Sequence, residues 1–172
     1  SLKNDMRTLN IPLYFDDLYQ KKSDENLNGA EDMKAAFELI SSAEEGSALL
    51  KLVTQYNDLS KAQVRELLEN GEVLEVLDLV QKAAGKEFVD FETDYSQGPA
   101  TLLPNVGAIR GVVRLLSMKS EADMEKGDLA GAVNILNDGI KLNAMSNDNL
   151  TLISGLVGIA NSSILNKGID SL

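Results

Sequence analysis

Arg110 and Arg114 stand four residues apart in a segment with helical apolar spacing, and only Arg7 and Arg65 share their residue type in the chain. Residues four apart on a helix lie one above the other, so the two guanidinium groups fall on one face. A guanidinium fork matches a carboxylate or a phosphate, and two in succession can grip one anionic group or an acidic peptide end. Just upstream, Val89, Phe91, Thr93 and Tyr95 alternate with Asp90, Glu92, Asp94 and Ser96. In an extended segment this places the aromatics on one side and the carboxylates on the other. Two uses of the arginines follow. With Tyr95 and Asp94 beside them, Arg110 and Arg114 form a binding site for an anion. Alternatively they pair with Asp94 and Glu92 and clamp the extended segment to the helix, a use favoured by the acidity of the neighbouring segment.

Other chemistry is excluded by residue type. The chain has no Cys and no His, which removes disulfides, thiolate nucleophiles, His-based triads and thiolate or imidazole metal sites. Asp90, Glu92 and Asp94 are oxygen ligands of the kind calcium takes, but calcium needs about six or more of them around a curved loop. A straight strip points its carboxylates along one line, so a solvated acidic face is expected and no metal or cofactor. Two carboxylates alone can perform acid–base hydrolysis when burial raises one of them, with Tyr95, Asp94 and Arg110 as the first residues to examine. No such cleft is legible in the sequence, and no catalytic residue is assigned.

The net charge of −11 resides almost entirely in the first hundred residues, which carry −10 of it. Nucleic acids and anionic lipids are held chiefly by Lys and Arg, so neither is expected as a partner. The longest uncharged run, from Asn149 to Asn166, is interrupted by Ser154, Gly155, Gly158, Asn161, Ser162 and Ser163, and it falls short of the roughly 20 apolar residues of a membrane span. It reads as a buried helix, with no membrane insertion. The chain opens on Ser1-Leu2 rather than Met, the pattern of a trimmed sequence. That leaves the compartment open between cytoplasm and export after loss of an N-terminal leader.

The elements that would position these residues are helices. Pro12 suits the first turn of a short helix. Asn28 and Glu31 have capping-box spacing ahead of a helix over about 29–44 with Met33, Ala36, Phe37 and Ile40 on one face. A short helix carries Leu49, Leu52 and Val53 toward Asn57-Asp58. Ser60 and Gln63 form a second capping box, and the helix it starts runs to Gly85, bent at Asn70-Gly71 and stopped by a left-handed glycine. Residues 86–100 form an extended connector with no strand partner, bounded by Gly98-Pro99 and Pro104. From about Pro104 a helix presents Val106, Ile109, Val113 and Leu116 to the core, and its Gly107-Gly111 stripe admits a neighbouring backbone. It ends at Gly127-Asp128, and another helix begins at once and runs to about Leu142. So short a connection makes the two helices an antiparallel hairpin.

That hairpin resembles a tetratricopeptide repeat. Leu116, Ser120 and Gly127 occupy the large, small and turn positions of the first helix, and Ala132, Leu136 and Gly139 the alanine, bulky and small positions of the second. Leu150, Ile153, Ser154 and Val157 return about 34 residues later, as the repeat requires. Lys119 and Asp123 depart from the pattern, standing where apolar and aromatic residues belong, and Ala144 replaces the closing proline. Asp94 to Leu172, through Gly98, Leu102-Leu103-Pro104, Arg110, Arg114 and Leu152-Ile153-Ser154-Gly155-Leu156-Val157, is also similar to a group of bacterial helical-repeat proteins that brings no reaction with it. The resemblance implies stacked helical hairpins and leaves the ligand open.

The expectation is therefore an all-α single domain of about six or seven helices. Residues 1–85 are acidic helices, 86–100 a connector, and 101–172 either a tetratricopeptide-like superhelix or an irregular helical array. Its function is read as a non-catalytic protein-interaction or scaffold domain with a protein or peptide partner, and the competing class is a domain for a small anionic ligand. The terminal helix, apolar on more than one face at Leu150, Ile153, Leu156, Ile159 and Ile164, is expected to dock back, to meet a second copy, or to be covered by residues outside this sequence.

Overall fold

A computed structural model describes residues 24–91 and 106–146, in which six α-helices follow one another: α1 Ala30–Ser41, α2 Ala48–Thr54, α3 Lys61–Leu68, α4 Gly71–Ala84, α5 Val106–Glu125 and α6 Leu129–Ser146. Among these residues there is no strand, and the fold is all-α. The expected helix after Pro12, the connector from Glu92 onward with Asp94 and Tyr95, and the helix from Leu150 lie outside the described residues.

Side-chain caps set most of the helix starts. Ser60 Oγ accepts from the Gln63 amide at 3.3 Å while Gln63 Oε1 accepts from the Ser60 amide at 2.9 Å, the reciprocal box that the sequence predicts. Ser47 caps α2 by accepting from Leu50 N–H at 3.1 Å. At Asn70 the expected bend is instead a break. Its side chain accepts from Glu72 N–H at 3.0 Å, and a capped N-terminus starts a new helix rather than continuing the old one. Gly85 is also not the expected left-handed stop: its φ is −72°. The chain must turn back at once toward the start of α1, because Glu87 and Phe88 N–H both reach the Leu27 carbonyl, at 3.1 and 3.3 Å.

The connector, expected to run unpaired, is thereby fastened from its first residues. Asn28 and Phe88 form an isolated parallel bridge, and Gly29 N–H donates to the Phe88 carbonyl at 2.8 Å. The predicted box between Asn28 and Glu31 does not form. Gly29 takes the capping position, and only a residue without a side chain fits there, since a Cβ would lie 2.8 Å from the Ala83 carbonyl oxygen. Asn28, displaced one residue outward, ties two segments: its Oδ1 accepts from Ala30 and Asp90 N–H at 3.0 and 2.9 Å, and its Nδ2 donates to the Asp90 carbonyl at 2.9 Å. Glu31 pairs with Lys34 instead. Beyond Asn28, Val89 is buried and the Phe91 ring packs 5.8 Å from that of Phe37.

The α5–α6 hairpin closes as its sequence requires. Gly127 has φ +82°, a conformation that costs an L-residue roughly 1 kcal/mol or more and glycine little. Asp128 N–H reaches the Asp123 carbonyl and Gly127 N–H the Met124 carbonyl, both at 2.9 Å, which satisfies two end carbonyls in a Schellman motif. The Asp128 carboxylate then accepts from Gly131 N–H at 2.9 Å and starts α6. One residue thus ends one helix and begins the next. Leu116, Ser120, Ala132 and Leu136 are all buried, and Ser120 Oγ donates to the Ala132 carbonyl at 3.2 Å. Lys119 and Asp123, out of place for a repeat, form an ion pair in which Asp123 is buried.

Helices α4 and α5 each pack against all five of the other described helices. Val73, Val76 and Val80 of α4, Leu115 and Leu116 of α5, Phe37 of α1 and Leu49 and Leu52 of α2 are fully buried between them. The expected glycine stripe of α5 divides in two. A Cβ on Gly111 would meet Val53 Cγ1 at 3.1 Å and Ile40 Cγ2 at 3.4 Å, so side chains, not a backbone, approach it; around Gly107 the space is open. Replacing Asn28 by Ala removes the bond from the Ala30 amide and both connector hydrogen bonds, and should cost about 2–3 kcal/mol in urea unfolding. A loss of less than about 0.5 kcal/mol would show that Asn28 does not fasten the connector.

Candidate functional site

The two arginines singled out by the sequence part company in space. Arg110 is exposed, and no hydrogen bond or ion pair of it is formed among the described residues. Arg114, one turn on, turns inward to the end of α2. Its Nη1 donates to the Val53 carbonyl at 2.9 Å, and its guanidinium carbon lies 4.9 Å from the centre of the Tyr56 ring. Val53 lies in the last turn of α2, where carbonyls lack intrahelical partners and the helix end carries partial negative charge. Arg114 therefore does for α2 what a C-terminal basic residue does, from a helix about sixty positions away in sequence. Its Nε is buried without a hydrogen-bond partner. Asp94 and Tyr95, the other two expected site residues, lie outside the described residues.

Arg114 also stands at one end of a half-open groove of about 390 Å³ between α5 and the segment 56–65. One wall is a single face of α5: Arg114, Met118, Glu121, Ala122 and Glu125 recur at helical spacing. The other wall is the turn at Tyr56, then Leu59, and Lys61, Val64 and Arg65 of α3. Leu59, Val64, Met118 and Ala122 make it apolar in the middle, and the ionic groups gather at the α3 end. This volume lies in the range of small-molecule sites. Three basic and two acidic side chains line it, a local excess of positive charge in a chain whose net charge is −11.

The ionic end is a single carboxylate shared by two cations. Glu125 Oε1 lies 2.7 Å from Lys61 Nζ and its Oε2 3.1 Å from Arg65 Nη1. One residue further, Lys126 pairs with Glu69 at the opposite end of α3, at 3.0 Å. The Glu125 carboxyl is held below its ordinary value of 4.5, first by the hydrogen bond from Lys61, with desolvation opposing it next and the charges of Lys61 and Arg65 adding to the lowering. Lys61 is correspondingly raised above 10.5, first by its hydrogen bond to Glu125 and then by that residue's charge, with Glu121 adding to it.

Sequence reasoning did not single out Lys61, Arg65 or Glu125. Their signal is the one-face spacing of Lys61, Val64 and Arg65 and of Arg114, Met118, Glu121 and Glu125, but nothing local shows that the two faces meet. No group of three or more potential metal-ligating side chains occurs among the described residues, and none of the described helices is long and apolar enough to cross a membrane.

No family model, curated protein or solved structure matches this chain.

Two measurements separate its parts. Arg114→Ala loses the carbonyl hydrogen bond and the ring contact and should lower stability by about 2–3 kcal/mol, whereas Arg110→Ala should leave the melting temperature within about one degree. Equal effects of the two changes would contradict the assignment. The Glu125 tie has a signed pH dependence. A lowered carboxyl contributes stability that is complete above its ordinary value and lost as pH falls through the lowered one. The stability difference between the native chain and Glu125→Gln should thus be present at neutral pH and vanish in strong acid, and a difference that persists there would refute the tie.

Proposed function

We propose that this protein is a non-catalytic protein-interaction domain, and that the groove between α3 and α5 takes a short segment of a partner protein. The observation that carries this reading is the pairing of an apolar floor (Leu59, Val64, Met118, Ala122) with a charged rim (Lys61, Arg65, Glu125) in one half-open groove. Magnitudes assign the parts. Each leucine-sized side chain that leaves water for the floor contributes about 1.5–3 kcal/mol, whereas an exposed ion pair contributes about 0–1 kcal/mol. Affinity then comes from the floor, and orientation from the rim.

The same comparison disfavours a small anionic ligand. Lys61 and Arg65 are 80% and 43% exposed, so a free anion there keeps competing with water and salt. Arg114, the enclosed cation, is already engaged with Val53 and Tyr56. Carboxylate hydrolysis needs an acid raised by burial, and in this groove the Glu125 carboxyl moves the other way; Asp138, which burial raises, is on α6 and does not line it.

A random peptide library displayed on phage tests it, selected in parallel on the native protein and on Val64→Lys, which puts a charge on the half-buried groove floor. The native protein should retain peptides that Val64→Lys releases. Selection that yields no peptides, or peptides that bind both proteins equally, would overturn the proposal.

A further inference from the structure

We propose that Glu125 is a built-in occupant of an anion subsite formed by Lys61 and Arg65, and that the partner segment displaces it with an Asp or Glu side chain set beside apolar residues. The inference rests on the groove reading above and specifies the chemistry of its ligand.

Three observations carry it. First, the geometry around Glu125 is that of a bound carboxylate, with one oxygen 2.7 Å from an ammonium and the other 3.1 Å from a guanidinium. Second, the charges that meet there are ones their own helices disfavour. Glu125 is the last residue of α5 and Lys61 the first of α3, so a carboxylate sits at a negative helix end and an ammonium at a positive one. Each is held in place by the other rather than by its helix, which makes the contact exchangeable. Third, exchange need not release α3. Lys126 and Glu69 tie the far end of the same helix to the same end of α5 at 3.0 Å, and the capping box at Ser60 keeps the first turn of α3 formed.

The subsite is also within reach of a ligand. Lys61 is 80% exposed and Arg65 43%, while Glu125 is 28% exposed, and Val64 lies between the two cations on the same face of α3, next to the apolar floor. A partner carboxylate that took the place of Glu125 would recover both charge-assisted bonds, while its apolar neighbours entered between Val64 and Met118. Glu121, exposed on the same wall, adds a second carboxylate whose charge acts on Lys61, so the ligand competes with intramolecular groups. Selectivity follows from this competition. A neutral apolar segment gains the floor alone, whereas an acidic one gains the floor and exchanges its carboxylate for that of Glu125 at the two cations.

The experiment runs the phage selection on the native protein, on Glu125→Gln and on Lys61→Gln/Arg65→Gln, with thermal unfolding to confirm that these exposed changes leave the chain folded. Peptides held by the native protein in a Val64-dependent way should be enriched in Asp or Glu flanked by apolar residues. A synthetic copy of the most enriched one should bind Glu125→Gln about two- to fivefold more tightly than the native protein in calorimetric titration. That gain should disappear when Lys61 and Arg65 are also replaced by Gln. Val64-dependent peptides that carry no acidic residue, or a Glu125→Gln protein that binds no more tightly, would overturn this inference and leave the groove reading standing. Absence of any Val64-dependent peptide would overturn both.

Discussion

Helix α5 cannot be left with its apolar faces in water. Ala108, Val112, Val113, Leu115, Leu116, Met118 and Ala122 are buried along it, which covers most of the circumference of a helix rather than one stripe. Each large apolar side chain brought out of water contributes about 1.5–3 kcal/mol, so the chain is driven to surround α5 with its other helices. Helix α6 covers one side by way of the Gly127 turn, α1 and α4 another, and α2 with α3 a third. The arrangement of the first half of the chain is the answer to this requirement of the second half.

The groove is a by-product of the same geometry. Seven-residue α2 and eight-residue α3 are too short to sheath the twenty-residue α5 along its length, and they meet at a turn that leaves the face around Met118 and Ala122 partly open. Polar contacts then fix the edges. Arg114 closes one end by capping α2, and the Glu125 and Lys126 pairs fasten both ends of α3 to the end of α5. The apolar requirement creates the cleft, and the charges decide its shape and its sign.

The helices were legible in the sequence because their signals are local. Ser60 with Gln63, and Gly127 with Asp128, specify caps and a turn within a few residues, and the structure forms both. The burial of α5 was only half legible. Spacing isolates the stripe through Val113 and Leu116, but Ala108, Val112 and Leu115 lie on a second face, and a helix buried on two sides gives no single period to read. Asn28 misleads for a related reason: its spacing to Glu31 fits a capping box, yet the close approach of Ala83 to Gly29 is set by tertiary packing. The site was the least legible part. Arg110 and Arg114 look equivalent one turn apart, and only the position of Val53 and Tyr56 separates an exposed side chain from an anchored one. The pairing of Lys61 and Arg65 with Glu125 spans about sixty positions, and no local pattern encodes it.

The central claim is that α5 and the helices around it form one cooperative core, not a terminal hairpin leaning on separate N-terminal helices. Native-state hydrogen exchange measured across increasing denaturant tests this most directly, since it resolves the free energy at which each helix opens. Amides in the middle of α1, α4 and α5 should exchange only through global unfolding and share one opening free energy. Protection in α5 and α6 that survives after α1 and α4 have opened would contradict it.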